Sequence, residues 1–366
     1  MEPLDATDPE SIGPYRLVAR LGAGGMGRVY LARSSGGRTV AVKVVRPELA
    51  GDREFRTRFR REVAAAQAVD GAYTAPVVDA DPDSATPWLA TAYVLGPSLT
   101  DAVQQHGPLP EHSVRALGAR LAEALGAIHG AGLVHRDLKP SNVLLAADGP
   151  RVIDFGIARA MDGDGLTSTG VVVGSPGFMA PEQASGLPMG PAGDVFSLGS
   201  VLVYAATGRG PFDSNSGAAV QLYRVVHDQP ELGQLPPGLL PVITACLTKD
   251  PARRPEPAQL AAMLLPPGTP AAGEDWLPAP VASALARHAS SVMDLETPSR
   301  GTAAPPPGYT PTGVNHPYQA PPSPQQFPHN PYQAQPSSGT MQLGRTWPPN
   351  AATAPKPKVS RRALFA

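Results

Sequence analysis

The run His135-Arg136-Asp137-Leu138-Lys139-Pro140-Ser141-Asn142, followed by Asp154-Phe155-Gly156, places a carboxylate, an ammonium, an amide and a second carboxylate in fixed order. Moving a phosphoryl group requires a group that takes the hydroxyl proton, a cation beside the transferred charge, and oxygen ligands for a divalent metal. Asp137, Lys139, Asn142 and Asp154 carry those chemistries in that order.

Working outward toward the N-terminus, Leu21-Gly22-Ala23-Gly24-Gly25-Met26-Gly27-Arg28-Val29 has glycines at 22, 24 and 27. That spacing alone also fits a dinucleotide-binding loop. The flanks separate the two. Tyr15 to Arg20 and Val29 to Ala32 both read as strands, so the glycines cap a β-hairpin, whereas a dinucleotide loop would open a helix. Without side chains, the backbone amides can approach anionic phosphates. Lys43 lies in the apolar strand Thr39 to Val45, where an ammonium is costly unless paired. A helix-like stretch follows from Phe55 to Val69, with Val63, Ala66 and Val69 continuing an inward face and several arginines on a solvated one.

The chain has 366 residues and a formal net charge of -1, so nothing in its composition suggests nucleic-acid binding. Its single cysteine, Cys246, precludes an internal disulfide and sits in an apolar run as a small core residue. Met1 to Pro14 is acidic and polar with no signal-peptide pattern, and no run of apolar residues is long enough to span a bilayer.

Together these motifs resemble the protein kinases, specifically the bacterial eukaryotic-like (Hanks-type) serine/threonine kinases. The resemblance covers about 250 residues. It implies an α+β, two-lobed kinase fold: a β-rich N-lobe with one key helix, then a helical C-lobe, with ATP between them. The implied activity is transfer of the γ-phosphoryl of ATP, with Mg2+ (or Mn2+), to Ser or Thr of protein substrates. Asp137 and Lys139 are the implied catalytic residues, and Asn142 and Asp154 the metal ligands. Leu21, Gly22, Gly24, Gly27, Val29, Ala41 and Lys43 would line the nucleotide site, with Ala92 and Val94 offering backbone groups at the hinge and Thr91 guarding its back. Lys43 would pair with Glu62; Glu54 is the competing candidate. Arg136 would answer a phosphate on Thr167, Ser168 or Thr169, placed by autophosphorylation, for which self-association in trans is an implied partner mode. Glu182 would pair with Arg254, and Asp194 would anchor the catalytic loop. Ser175 and Phe178 stand where the family commonly has threonine and tyrosine, which bears on substrate preference. The alternative is a pseudokinase or scaffold that binds ATP and partners without transfer. A small-molecule kinase is disfavoured by the activation segment closing on Met179-Ala180-Pro181-Glu182-Gln183.

The expected organisation is an extension over 1–14, a kinase domain over 15–265, a linker over 266–299 and a tail over 300–366. Val281, Leu285, His288, Val292 and Leu295 fall at helical spacing within the linker. They suit a helix packed on the enzyme, on a second copy, or on nothing. The tail is rich in proline, glutamine and tyrosine and poor in charge, which predicts a disordered tether. It ends in a basic cluster, Lys356 to Arg362. That cluster suits an ordinary basic tail, an internal twin-arginine signal, or the flank of a membrane helix if the chain continues beyond Ala366. The implied location is cytoplasmic, at the inner face of the membrane in the last case.

Overall fold

A computed structural model describes residues 1–155, 175–214, 217–265 and 276–296. The expected tail lies outside the described residues, as do Thr167, Ser168 and Thr169.

The N-terminal lobe contains strands β1 (Ser11–Ile12), β2 (Tyr15–Ala23), β3 (Gly27–Arg33), β4 (Thr39–Val45), β5 (Val77–Asp81) and β6 (Trp88–Ala92), with helices α1 (Pro47–Ala50) and α2 (Arg53–Gln67) between β4 and β5. The strands form one sheet in the order β1-β2-β3-β4-β6-β5, every neighbour antiparallel. Alternation along the strands gives the sheet two faces. Tyr30, Val42 and Ala90 pair across one face and join Tyr15, Leu17, Val40 and Trp88 in an apolar cluster. Val29 opposite Lys43, and Leu31 opposite Ala41, lie on the other face, toward the second lobe.

Helix α2 starts where Asp52 accepts hydrogen bonds from the backbone N–H groups of Glu54 and Phe55. Such a cap is worth about 1 kcal/mol. Phe55, Phe59, Val63 and Ala66 form its buried stripe, and the two phenylalanine rings stack at 5.8 Å.

The C-terminal lobe contains α3 (Leu99–His106), α4 (Glu111–Gly130), the hairpin β7 (Val143–Ala146) and β8 (Gly149–Val152), α5 (Pro181–Ala184), α6 (Pro191–Thr207), α7 (Ala218–His227), α8 (Leu240–Cys246), α9 (Pro257–Leu264) and α10 (Ala279–Glu296). Its centre is α4 against α6. Leu117, Leu121, Leu125 and Ile128 of α4 are wholly buried, each contributing about 1.5–3 kcal/mol on transfer from water. Gly118 permits the close approach of three helices, since a Cβ there would lie 2.8 Å from Leu264 of α9 and 3.0 Å from Leu202 of α6. Cys246 is buried as a core residue, and that burial pushes its thiol up to about 12.

The helix expected in the linker is α10, and it packs on the preceding lobes: Val281 and Val292 are buried, as is Trp276 just before it. Among the described residues no helix is long and apolar enough to cross a membrane.

Candidate active site

The loop that carries Asp137 is fixed from below by α6. Asp194, with no exposed side-chain surface, accepts the backbone N–H of His135 at 2.8 Å and of Arg136 at 2.9 Å, and His129 Nε2 lies 2.8 Å away. These bonds hold Arg136 at φ 65°. A non-glycine residue in that region costs on the order of 1–3 kcal/mol, which the buried carboxylate offsets. Gln183 Nε2 donates to the Arg136 carbonyl at 3.1 Å from the other side.

The strained turn presents Asp137 beside two donors. Lys139 Nζ donates to Asp137 Oδ2 at 2.8 Å. Asn142 Nδ2 donates to the Asp137 carbonyl at 2.9 Å and to Oδ2 at 3.3 Å. The Asn142 amide nitrogen is therefore committed, and its oxygen is the atom left to meet a cation. Asp154, also at positive φ (58°), is 3.1 Å from Lys43 Nζ through Oδ1. Burial raises the Asp154 carboxyl, but the Lys43 ammonium more than reverses this, with His135 and Lys139 adding, so its pKa lies below the usual range.

Above the loop, the glycine hairpin is closed by the Gly24 N–H bonding the Gly27 carbonyl at 2.8 Å, and Arg46 Nη2 ties the Gly24 carbonyl at 2.9 Å. The glycines serve two purposes. A Cβ at Gly27 would sit 1.7 Å from the Val44 carbonyl oxygen, so packing requires that glycine. At Gly22, Gly24 and Gly25 a Cβ would meet nothing within 4 Å. Their bareness leaves room for phosphate oxygens over the hairpin tip, with the Gly24 N–H already spent on the Gly27 carbonyl.

The sequence profile of the protein kinase domain matches residues 15–264. This chain belongs to the protein kinase family. The kinase is 52% identical over 307 residues to a probable serine/threonine-protein kinase, PkwA, of Thermomonospora curvata, covering 84% of this chain and 40% of that protein. It is 51% identical over 308 residues to the serine/threonine-protein kinase AfsK of Streptomyces griseus, covering 82% and 38%. The crystal structure of the Mycobacterium tuberculosis PknI kinase domain superposes with a TM-score of 0.55 at 28% identity, over 69% of this chain and 96% of that one. The kinase thus spans about 40% of the length of the first two relatives. Kinases of this family use ATP and a divalent metal, and the open glycine backbone and the oxygen donors of Asn142 and Asp154 fit both.

One expected pairing differs in this structure. Lys43 bonds Asp154, and it forms no ion pair with Glu62. Glu62 instead faces Arg136 and Arg58, with Oε2 buried and without a hydrogen-bond partner. It lines a 300 Å³ cavity with Arg61, Leu133 and Arg136, under α2. The reason is reach: Asp154 in its left-handed conformation lies nearer the Lys43 ammonium than the α2 carboxylate does. Glu54 is 79% exposed and pairs along its own helix with Arg58, so it does not face the cleft.

Burial raises the Glu62 carboxyl to about 7, against the pull of Arg136 and Arg58. The folded chain therefore keeps this proton to higher pH than the unfolded one. Stability from the group is full below about pH 4.5 and is lost as pH rises through about 7. Glu62→Gln is expected to raise the melting temperature relative to the parent clearly at pH 8 and little at pH 5. Equal shifts at the two pH values, read by thermal melts, would show that the carboxylate is not held in this environment.

Leu21, Val29, Ala41 and Lys43 are all partly exposed toward the cleft. At the hinge the Ala92 N–H is taken by the Pro76 carbonyl at 2.9 Å, so only its carbonyl can serve a ligand. Glu182 and Arg254 pair as expected.

Sequence reading missed the N-terminal residues. Asp8 accepts hydrogen bonds from Arg20 (2.6 Å), Arg28 (3.1 Å), Tyr30 (2.8 Å) and the Asp5 N–H (2.8 Å), which ties the extension to the strands of the glycine hairpin. The Asp5 N–H and these side-chain donors hold its carboxyl down at about 2. Only the register that aligns β2 with β3 brings these donors together, and no local motif announces it.

Proposed function

We propose that this chain is an active serine/threonine protein kinase that transfers the γ-phosphoryl of Mg-ATP to Ser or Thr hydroxyls of proteins. The observation that carries this reading is the Asp137–Lys139–Asn142 cluster, held by Asp194 beneath the open glycine hairpin. Asp137 orients the substrate hydroxyl and takes its proton. Lys139 offsets charge on the transferred group. Asn142 and Asp154 would hold Mg2+, which supplies charge neutralisation on the phosphates when bound. Lys43 would hold the phosphates, and Leu21, Gly22, Gly24, Gly27, Val29, Ala41, Ala92 and Val94 would enclose the nucleotide. Glu62 would support Lys43 whenever Asp154 is not its partner.

The kinase domain of this reading runs over 15–265, after an extension over 1–14. Incubating the full chain with γ-labelled ATP and a generic protein, followed by phosphoamino-acid analysis, tests the assignment. Label on phosphoserine or phosphothreonine is expected. Absence of transfer, or label on tyrosine alone, overturns it.

Autophosphorylation is proposed on Thr167 or Thr169, with Ser168 between them, and by one copy on another. The support is Arg136, an always-charged fork suited to phosphate, beside the Ser175–Glu182 closure. Mass spectrometry of active protein should find phosphate between Met161 and Ser175. A fully active Thr167→Ala/Thr169→Ala variant, with phosphate only elsewhere, rules this out.

A further inference from the structure

Helix α10 touches both lobes. Just before it, Trp276 is wholly buried, and its Nε1 donates to the carbonyls of Ala146 and Ala147 at 3.3 and 3.1 Å, at the turn of the β7–β8 hairpin. Val281 lies in the main core of the helical lobe. One turn on, Leu285 abuts the hinge: a Cβ on Gly96 would lie 3.3 Å from its Cδ1. His288 Nε2 is 3.0 Å from Tyr93 Oη, also in the hinge. Val292, 3% exposed, packs with Ala19 and Leu31 of the sheet, flanked by Val18, Leu21 and Tyr93. Residues 281, 285, 288 and 292 thus form one face of the helix, and along it the contacts run from one lobe, over the hinge, to the other.

The sheet face reached by Val292 is the one that matters for the nucleotide. Ala19 is the cross-strand partner of Leu31, and Leu31 that of Ala41. All three side chains share the face that bears Lys43. Leu21, which opens the glycine hairpin, borders the same cluster.

A helix of this length is a stiff rod of about 27 Å. Fastened at both ends, it resists rotation of the lobes about the hinge, because rotation must break either the Val292 cluster or the Trp276 and Val281 anchors. The similarity to PkwA is consistent with this. It covers 84% of the chain and so takes in α10 wherever it begins, whereas the kinase-domain match ends at 264.

We infer that α10 is a brace across the hinge that sets lobe closure, making residues 276–296 part of the catalytic unit and His288 and Val292 positioning residues for the nucleotide site. A charge at 292 cannot stay in the apolar cluster without a partner, so Val292→Asp releases the far end of the brace while the C-lobe anchors remain.

The test uses the full chain, with binding of a non-hydrolysable ATP analogue, KM and kcat for ATP, and backbone hydrogen exchange. Val292→Asp is expected to weaken analogue binding by about 5-fold or more, the lower end of coupling between distant sites. KM should rise more than kcat falls, and exchange should quicken at residues 92–96 and in β2 and β3. Val292→Ile should restore all three. Should Val292→Asp fail to fold, Val292→Ala and His288→Ala carry the same comparison with smaller steps. Unchanged affinity and exchange would make α10 a passive linker. A lower melting temperature with no separation of KM from kcat would make it merely structural. Analogue affinity that depends on protein concentration in the parent, and not in the variant, would assign the helix face to a second copy. Each of these three results overturns the inference.

Discussion

Asp137→Asn is expected to lower kcat for phosphoryl transfer by about 10²–10⁴-fold, the usual share of a positioned proton acceptor. The substitution keeps the shape of the side chain and an oxygen that Lys139 and Asn142 can still reach. It removes the negative charge and the capacity to take a proton. Lys139 keeps access to water, with 23% of its side chain exposed, so the unpaired ammonium costs little. The loop itself is held by Asp194, through the backbone of His135 and Arg136, and does not depend on the Asp137 side chain. Melting temperature and ATP-analogue affinity should therefore stay near parental values while turnover collapses. Parental turnover in this variant would remove Asp137 from the chemistry.

The largest effect on stability is expected at Glu182→Ala. Arg254 has no exposed side-chain surface and meets Glu182 through two parallel bonds, Nη1 to Oε1 at 2.7 Å and Nη2 to Oε2 at 2.8 Å. The same guanidinium also donates to the carbonyls of Thr248, Ala192 and Lys249, and stacks 5.0 Å from the Phe196 ring. Removing the carboxylate leaves a buried cation satisfied only by neutral acceptors, a loss of about 3–5 kcal/mol. For a domain of this size each kcal/mol lowers the melting temperature by about 2–4 °C. Urea unfolding should show the loss, and Glu182→Ala/Arg254→Met should recover part of it, since the stranded charge is then gone. A midpoint close to the parent's would mean that the pair contributes nothing net.

The two predictions draw on different parts of what the sequence discloses. That Asp137, Lys139, Asn142 and Asp154 stand together was legible because they lie within one short stretch, where order along the chain nearly fixes order in space. The glycine hairpin was legible because its flanks alternate with the period of a strand. The helix at 279–296 was legible as a helix for the same reason, with Val281, Leu285, His288, Val292 and Leu295 recurring at spacings of 4, 3, 4 and 3. The Glu182–Arg254 pair was legible only through family resemblance, since nothing local links residues so far apart.

What each of these elements touches was another matter. Periodicity says that a face is apolar and not what covers it, so α10 could have met the enzyme, a copy or nothing; the tertiary structure lays it across the hinge. Composition marked residues 1–14 as polar, and only the register of β2 on β3 gathers Arg20, Arg28 and Tyr30 around Asp8. Family resemblance offered Lys43 a carboxylate on α2, but the partner of a half-buried ammonium is decided by distance, and Asp154 is the one within reach. The sequence alone determined the local chemistry and the period of each element, because both arise from neighbours along the chain. The partners of Lys43, Asp8 and α10 were decided by the tertiary structure, because short-range charge attraction and apolar contact act between segments that only folding brings together.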